Sequence, residues 1–128
     1  MPLQVTVIMM GVEDLARSKA FYGQGLGCEI EQDHPTFVSF NLGDGSSSLA
    51  IYPWEAAAQD AGVSSEGSGF RGVSFHHIVS SREAVDEVMG RAVAAGGGVV
   101  KEAAAAPWGY SGYFSDPDGY LWKVATGN

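Results

Sequence analysis

Few residues in this chain could carry acid–base, nucleophilic or metal chemistry, and their spacing limits what they can do together. There are three histidines and one cysteine in 128 residues. His34 precedes Pro35 in a predicted turn. His76 and His77 are adjacent within an apolar, strand-like run, and neighbouring side chains on a strand point to opposite faces. They therefore cannot serve one inward site: His76 is expected to face inward, in step with Ser74, and His77 outward. Cys28 can form neither an internal disulfide nor a multi-cysteine metal site, and reads as a structural thiol. Asp116 and Asp118 belong to an Asp-Pro-Asp-Gly turn sequence, which explains them better than a catalytic pair does. The triplet Gly96-Gly97-Gly98 lacks the spacing and the following Lys-Ser or Lys-Thr of a phosphate-binding loop. Glu55, Asp60 and Glu66 surround a linker, where they can form a rim. Aromatic rings remain. Trp54 and Trp108 follow Pro53 and Pro107 in segments read as irregular, and Tyr110 is close to Trp108. A flat ligand between such rings gains roughly 0.5–1.5 kcal/mol per stacked pair beyond area burial. Trp122 alternates with Lys123 in a strand and is expected in the core.

The elements that must position these residues come in two similar sets. Leu3 to Met9 reads as a strand, and Asp14 caps a helix that carries Leu15, Ser18, Phe21 and Tyr22 and ends by Gly25–Gly27. Strands are predicted over 28–32, 36–42 and 48–52, with a hairpin at Gly43-Asp44-Gly45. Residues 54–61 form a short helix, and 63–69 are a Ser/Gly-rich connection. The second set starts with a strand over 72–79. The capping-box pattern Ser80-Ser81-Arg82-Glu83 then opens a helix with Val85, Val88, Met89 and Ala92 on one face. Strands over 98–102, 112–115 and 120–125 follow, the last two joined by the turn at 116–119. Val12 and Val79, and the Asp-Gly pairs at 44–45 and 118–119, recur with nearly the same offset. The repeat is strand, helix, three strands, twice over.

Composition bounds the function further. Seven basic against fifteen acidic residues give a net charge of −8, opposite to a nucleic-acid binder. It would favour a cationic ligand by its long-range field. With 45% hydrophobic and 17% charged residues, the chain suits one globular domain. No apolar run approaches the roughly 20 residues of a membrane span, and no export signal is read at the N-terminus, so the expected location is cytoplasmic.

Val12-x-Asp14-Leu15-x-Arg17-Ser18-x-x-Phe21-Tyr22 and Gly112-Tyr113-Phe114-x-Asp116-Pro117-Asp118-Gly119-x-x-Trp122 resemble the vicinal-oxygen-chelate superfamily. It includes glyoxalase I, extradiol dioxygenases, fosfomycin-modifying enzymes and bleomycin-resistance proteins. The resemblance implies an α+β fold of two βαβββ modules, about 1–58 and 71–128 with a linker at 59–70. Their curved mixed sheets would surround a cleft completed across a homodimer. Enzymes of the group hold a divalent ion on His, Glu or Gln at four strand positions. Those positions correspond here to Val7, Ala50, Ser74 and Lys123, of which two have no donor atom, one is a weak donor and one is a cation. The expectation is therefore a protein without metal or other cofactor and without a catalytic set. It would sequester an aromatic small molecule such as a natural-product antibiotic, as bleomycin-resistance proteins do. Its ligand-binding residues would be Trp54, Trp108, Tyr110, His76, Phe37, Phe40, Met9, Tyr52 and Lys123. No nucleic-acid or membrane partner is expected. Two alternatives stand beside this. One is a lyase, isomerase or dioxygenase with a lost or relocated metal, in which Lys123 acts as a base with His76. The other is a housekeeping dimer with an unknown metabolite.

Overall fold

A computed structural model describes residues 5–61, 64–67, 71 and 73–127. The chain divides into two compact units, Met1–Gly67 and Ser68–Asn128. Each repeats the strand–helix–three-strand order. In the first, β1 (Val7–Val12), α1 (Leu15–Ala20), β2 (Glu29–His34), β3 (Phe37–Asn41) and β4 (Ser48–Pro53) form a four-stranded sheet of order β1-β4-β3-β2, followed by α2 (Trp54–Ala61). In the second, β5 (Ser74–Ile78), α3 (Arg82–Ala94), β6 (Gly98–Ala106), β7 (Gly109–Ser115) and β8 (Leu121–Thr126) give the order β5-β8-β7-β6. In each unit the first strand along the chain pairs in parallel with the last, β1 with β4 and β5 with β8, and the other neighbours are antiparallel.

In each sheet one face is covered by the helix that follows its first strand, α1 or α3. The opposite face of the first sheet also meets α2, where a Cβ on Gly11 would lie 3.2 Å from Trp54 Cα and 3.3 Å from Ala57 Cβ. Alternation puts Met10, Val12, Val38, Phe40, Leu49 and Ile51 on the helix side of the first sheet, where all are buried. Asp14 caps α1 by accepting from the Arg17 amide at 3.1 Å. The helix then widens into a π-helical turn over Phe21–Gly25. The wider turn lets the consecutive residues Phe21 and Tyr22 both be buried, with their rings 5.0 Å apart edge to face. In the second unit α3 covers Phe114 and Val124 with Val85, Met89 and Ala92. Trp122 joins this layer, stacked on Phe114 at 6.2 Å and tilted on Phe75 at 4.9 Å.

Three expectations on the elements are corrected. The N-cap of α3 is Ser81, which accepts from the Ala84 amide at 3.1 Å. Ser80 is therefore outside the helix, and no capping box with Glu83 forms. Strand β6 continues through Ala103–Ala106, and β7 begins at Gly109. A run of alanines has no alternation of polarity and so carries no strand signal, yet Ala104, Ala105 and Ala106 pair in turn with Ser111, Tyr110 and Gly109 of β7. Strand β1 continues to Val12 rather than stopping at Met9. Leu3 and Gln4, residues 62–63 and 68–70 of the linker region, and residue 72 at the start of the strand expected over 72–79 lie outside the described residues.

Two glycines are set by close backbone approach. A Cβ on Gly109 would overlap the Thr126 carbonyl oxygen, and one on Gly112 would come within 3.1 Å of Ala103 backbone atoms. Phe114→Ala is expected to lower unfolding free energy by about 3–5 kcal/mol in denaturant titration. Gly109→Ala is expected to cost more than about 1 kcal/mol, because the strand neighbour must shift. A loss below that for both would contradict this packing.

Candidate functional site

The helix-free face of the second sheet gathers the chain's most distinctive side chains. Lys123 is on β8, and its register partners on the two neighbouring strands are His76 on β5 and Tyr113 on β7. Partners in register share a face. The turn Pro107–Trp108 joins Ala106 of β6 to Gly109 of β7 so tightly that these two flanking residues are themselves a register pair. From this turn the Trp108 ring lies 4.5 Å from the Lys123 ammonium, and the Tyr113 ring lies 5.9 Å from it. The His76 ring stands perpendicular to Tyr113 at 6.5 Å. Its Nε2 is 3.3 Å from Ser74 Oγ, one residue pair along β5. Trp108 remains 55% exposed, so much of its indole is free to take a second flat group. A lysine–tryptophan contact of this kind contributes about 0.5–1 kcal/mol when exposed, and more when water is excluded. The arrangement therefore offers an aromatic platform with an ammonium, an imidazole and a hydroxyl beside it.

Of the nine expected ligand residues, the second unit brings Trp108, Lys123 and His76 together. Tyr110 is elsewhere: it lies on the helix side of β7, donates its hydroxyl to Asp86 at 2.7 Å, and has the Arg82 guanidinium 5.2 Å over its ring. The hydrogen bond to Asp86 holds the phenol above its ordinary pKa, reinforced by burial and by the carboxylate charge and opposed by Arg82. Trp108 and Tyr110 thus cannot sandwich one ligand, because two residues apart across a turn end they emerge on different sides. In the first unit, Phe37 and Tyr52 meet edge to face at 6.3 Å on the face opposite α1, with His34 6.4 Å from Phe37. Met9 shares that side and is half exposed. Phe40 does not: it is 0% exposed and packs on Tyr22 at 6.0 Å, so its ring belongs to the core. Trp54 opens α2, and its indole N–H donates to the Ser65 carbonyl at 2.8 Å. That bond, with its Cα against Gly11, gives it a structural role in anchoring the helix. His77 is exposed, and Cys28 is half-buried before β2.

The four positions expected from the family resemblance can be tested against the register. Lys123 faces His76 rather than Ser74, which pairs with Leu121. Ala50 faces Met9 rather than Val7, which pairs with Ser48. Ser74 and Val7 still share the faces of Lys123 and Ala50, and the register places the imidazole of His76 and the thioether of Met9 on those faces beside them. A divalent ion still does not fit: beside His76 stands an ammonium that repels it, and beside Met9 an alanine with no donor. No group of three or more His, Cys, Asp or Glu comes together among the described residues.

Tyr113 was absent from the expected ligand set although it borders Lys123 directly. Its place was open to counting. With the turn at 116–119 fixed, pairs run outward from Ser115–Leu121 through Phe114–Trp122 to Tyr113–Lys123. Lys101 was missed for a different reason. It pairs with Tyr113 between two register irregularities in β6, and irregular strands leave no period to read.

With this geometry in hand, the chain can be compared with known proteins. The family model described as "Glyoxalase/Bleomycin resistance protein/Dioxygenase superfamily" matches residues 4–124. A glyoxalase-related enzyme from Fulvimarina pelagi is 34% identical with a TM-score of 0.86, over 96% of this chain and 87% of that one. A glyoxalase/bleomycin resistance protein/dioxygenase family enzyme from Burkholderia phytofirmans is 22% identical with a TM-score of 0.83, over 96% and 98%. A lactoylglutathione lyase from Agrobacterium tumefaciens is 24% identical with a TM-score of 0.72, over 98% and 95%. These last two share the fold. No curated protein matches the sequence. Among the described residues no helix is long and apolar enough to cross a membrane. The motifs, the paired βαβββ units and the match over nearly the whole length agree: the chain belongs to the glyoxalase/bleomycin resistance protein/dioxygenase superfamily.

Proposed function

We propose that this protein binds an aromatic small molecule, without a metal ion, on the helix-free face of its second sheet, and that its role is sequestration, with a natural-product antibiotic as the ligand class. The observation that carries this reading is the Trp108 indole, 55% exposed and held against the Lys123 ammonium 4.5 Å away. An exposed ring anchored on one side is suited to stacking on the other. The donor-poor positions that face each other on the strands fit the same reading, because sequestration needs no acid, base or Lewis acid.

A second copy of the chain is the proposed partner. Val7, Met9 and Ile78 are exposed apolar residues on the edge strands β1 and β5, and a homodimer would cover them. Sedimentation is expected to give twice the monomer mass, and a monomer at micromolar concentration would remove the dimer from this reading.

The second reading is an enzyme with a lost or relocated metal, favoured by the likeness to the glyoxalase-related enzyme from Fulvimarina pelagi. The two differ in turnover. Under the binding reading, a planar polyketide-type aromatic quenches tryptophan fluorescence and is recovered chemically unchanged. Trp108→Ala is expected to weaken its binding by about 1–2 kcal/mol while the fold survives. Unchanged affinity in that variant would move the site elsewhere, and a converted ligand would establish the enzyme.

A further inference from the structure

The charge around Lys123 opposes the charge of the protein as a whole. The chain carries −8, yet the positions that share the face with Lys123 on β5, β7 and β8 include no Asp or Glu. The β6 residue in register with Tyr113 is a further cation, Lys101. Carboxylates of this unit lie elsewhere: Asp86 is bonded to Tyr110 on the helix side, and Glu102 lines the groove between α3 and β6. Asp116 is buried in the β7–β8 turn with Oδ1 taken up by two backbone amides. Surface cations of the other unit have partners, Lys19 with Asp33 at 2.7 Å and Arg17 with Glu13 at 4.0 Å. Among the described residues Lys123 has none: its neighbours are rings, which attract the ammonium without neutralising it. Screening confines surface charges to about 8 Å at physiological ionic strength, so a ligand on this face meets the lysine ammonium before the carboxylates on the helix side of the same sheet.

We infer that the aromatic ligand is an anion, a planar ring system bearing a carboxylate or an ionised phenolic or enolic oxygen that pairs with Lys123 while the ring lies on Trp108. The inference rests on the binding reading above and narrows it. It reverses the cationic preference that net charge alone suggests. In this arrangement one face of the ammonium stays on the indole and its remaining N–H bonds go to the ligand oxygen. Ser74 Oγ and the His76 ring stand beside it as further hydrogen-bonding groups. Charge-assisted hydrogen bonds are stronger than neutral ones, and they set orientation as well as affinity.

The test uses matched pairs of three ring sizes: 1-naphthoate and 1-naphthamide, 9-anthroate and its amide, and anthraquinone-2-carboxylate and its amide. Each is titrated into the intact protein by tryptophan quenching. The expected result is that the carboxylate of the best-fitting pair binds at least about tenfold tighter than its amide. Rising salt should shrink that preference. Lys123→Met should abolish it and Lys123→Arg should keep it, with melting temperatures confirming that both variants fold. Trp108→Ala should weaken both members of the pair together. Equal binding of carboxylate and amide would overturn the anionic class and leave aromatic binding intact. A preference that survives Lys123→Met would overturn the assignment to that residue. Failure of every compound to bind would overturn the aromatic reading and this one with it.

Discussion

The Asp116 carboxylate sets the geometry on which the candidate site depends. It is 3% exposed, and Oδ1 accepts from the amides of Asp118 and Tyr120, both at 2.9 Å. Those two bonds close the turn between β7 and β8 and fix which residues stand opposite each other. A slip of one residue would send every side chain of β8 to the other face. Lys123 would then enter the layer beneath α3, where an unpaired ammonium is costly, and Trp122 would leave it. With the register held, Lys123 lies between His76 and Tyr113, and the Trp108 turn reaches it from the other end of β7.

From this register follows the contrast between the two faces of the second sheet. The helix side is an aromatic and aliphatic layer in which Phe114 and Val124 are buried and Phe75 and Trp122 half-buried. On the other side the same strands present an ammonium, an imidazole, hydroxyls and two exposed or half-exposed rings. A lysine at the centre of that face changes the chemistry available to the fold. It repels a divalent ion and attracts oxygen anions, so under the proposed reading recognition passes from coordination to ion pairing and stacking. The net charge of the chain says little about this face, because it is an average over surfaces that screening separates.

Much of the fold was legible from the residues. Asp14, the 116–119 turn and the Gly43–Gly45 hairpin each carry local chemistry that forces a cap or a reversal, and they act as expected. The duplicated strand–helix–three-strand order followed from two periodicities and the spacing of turns. Ala103–Ala106 was not legible, since identical small side chains carry no alternation. Of the expected ligand residues, Trp108, Lys123 and His76 meet on one face. Tyr110 and Phe40 went astray for one reason: in a strand a ring's usefulness depends on parity, and parity needs a fixed register. Once the β7–β8 pairs are counted from the turn, Tyr113 replaces Tyr110 as the ring beside Lys123. Phe40 pairs with Leu49 and joins it in the core.

The most direct test of the central claim is native mass spectrometry of protein purified from its own host without chelators, which reads bound metal and retained small molecule together. The account predicts a metal-free protein carrying an intact, acidic aromatic compound. A stoichiometric divalent ion that is lost on chelation would contradict it, and would place coordination back at the centre of this protein's chemistry.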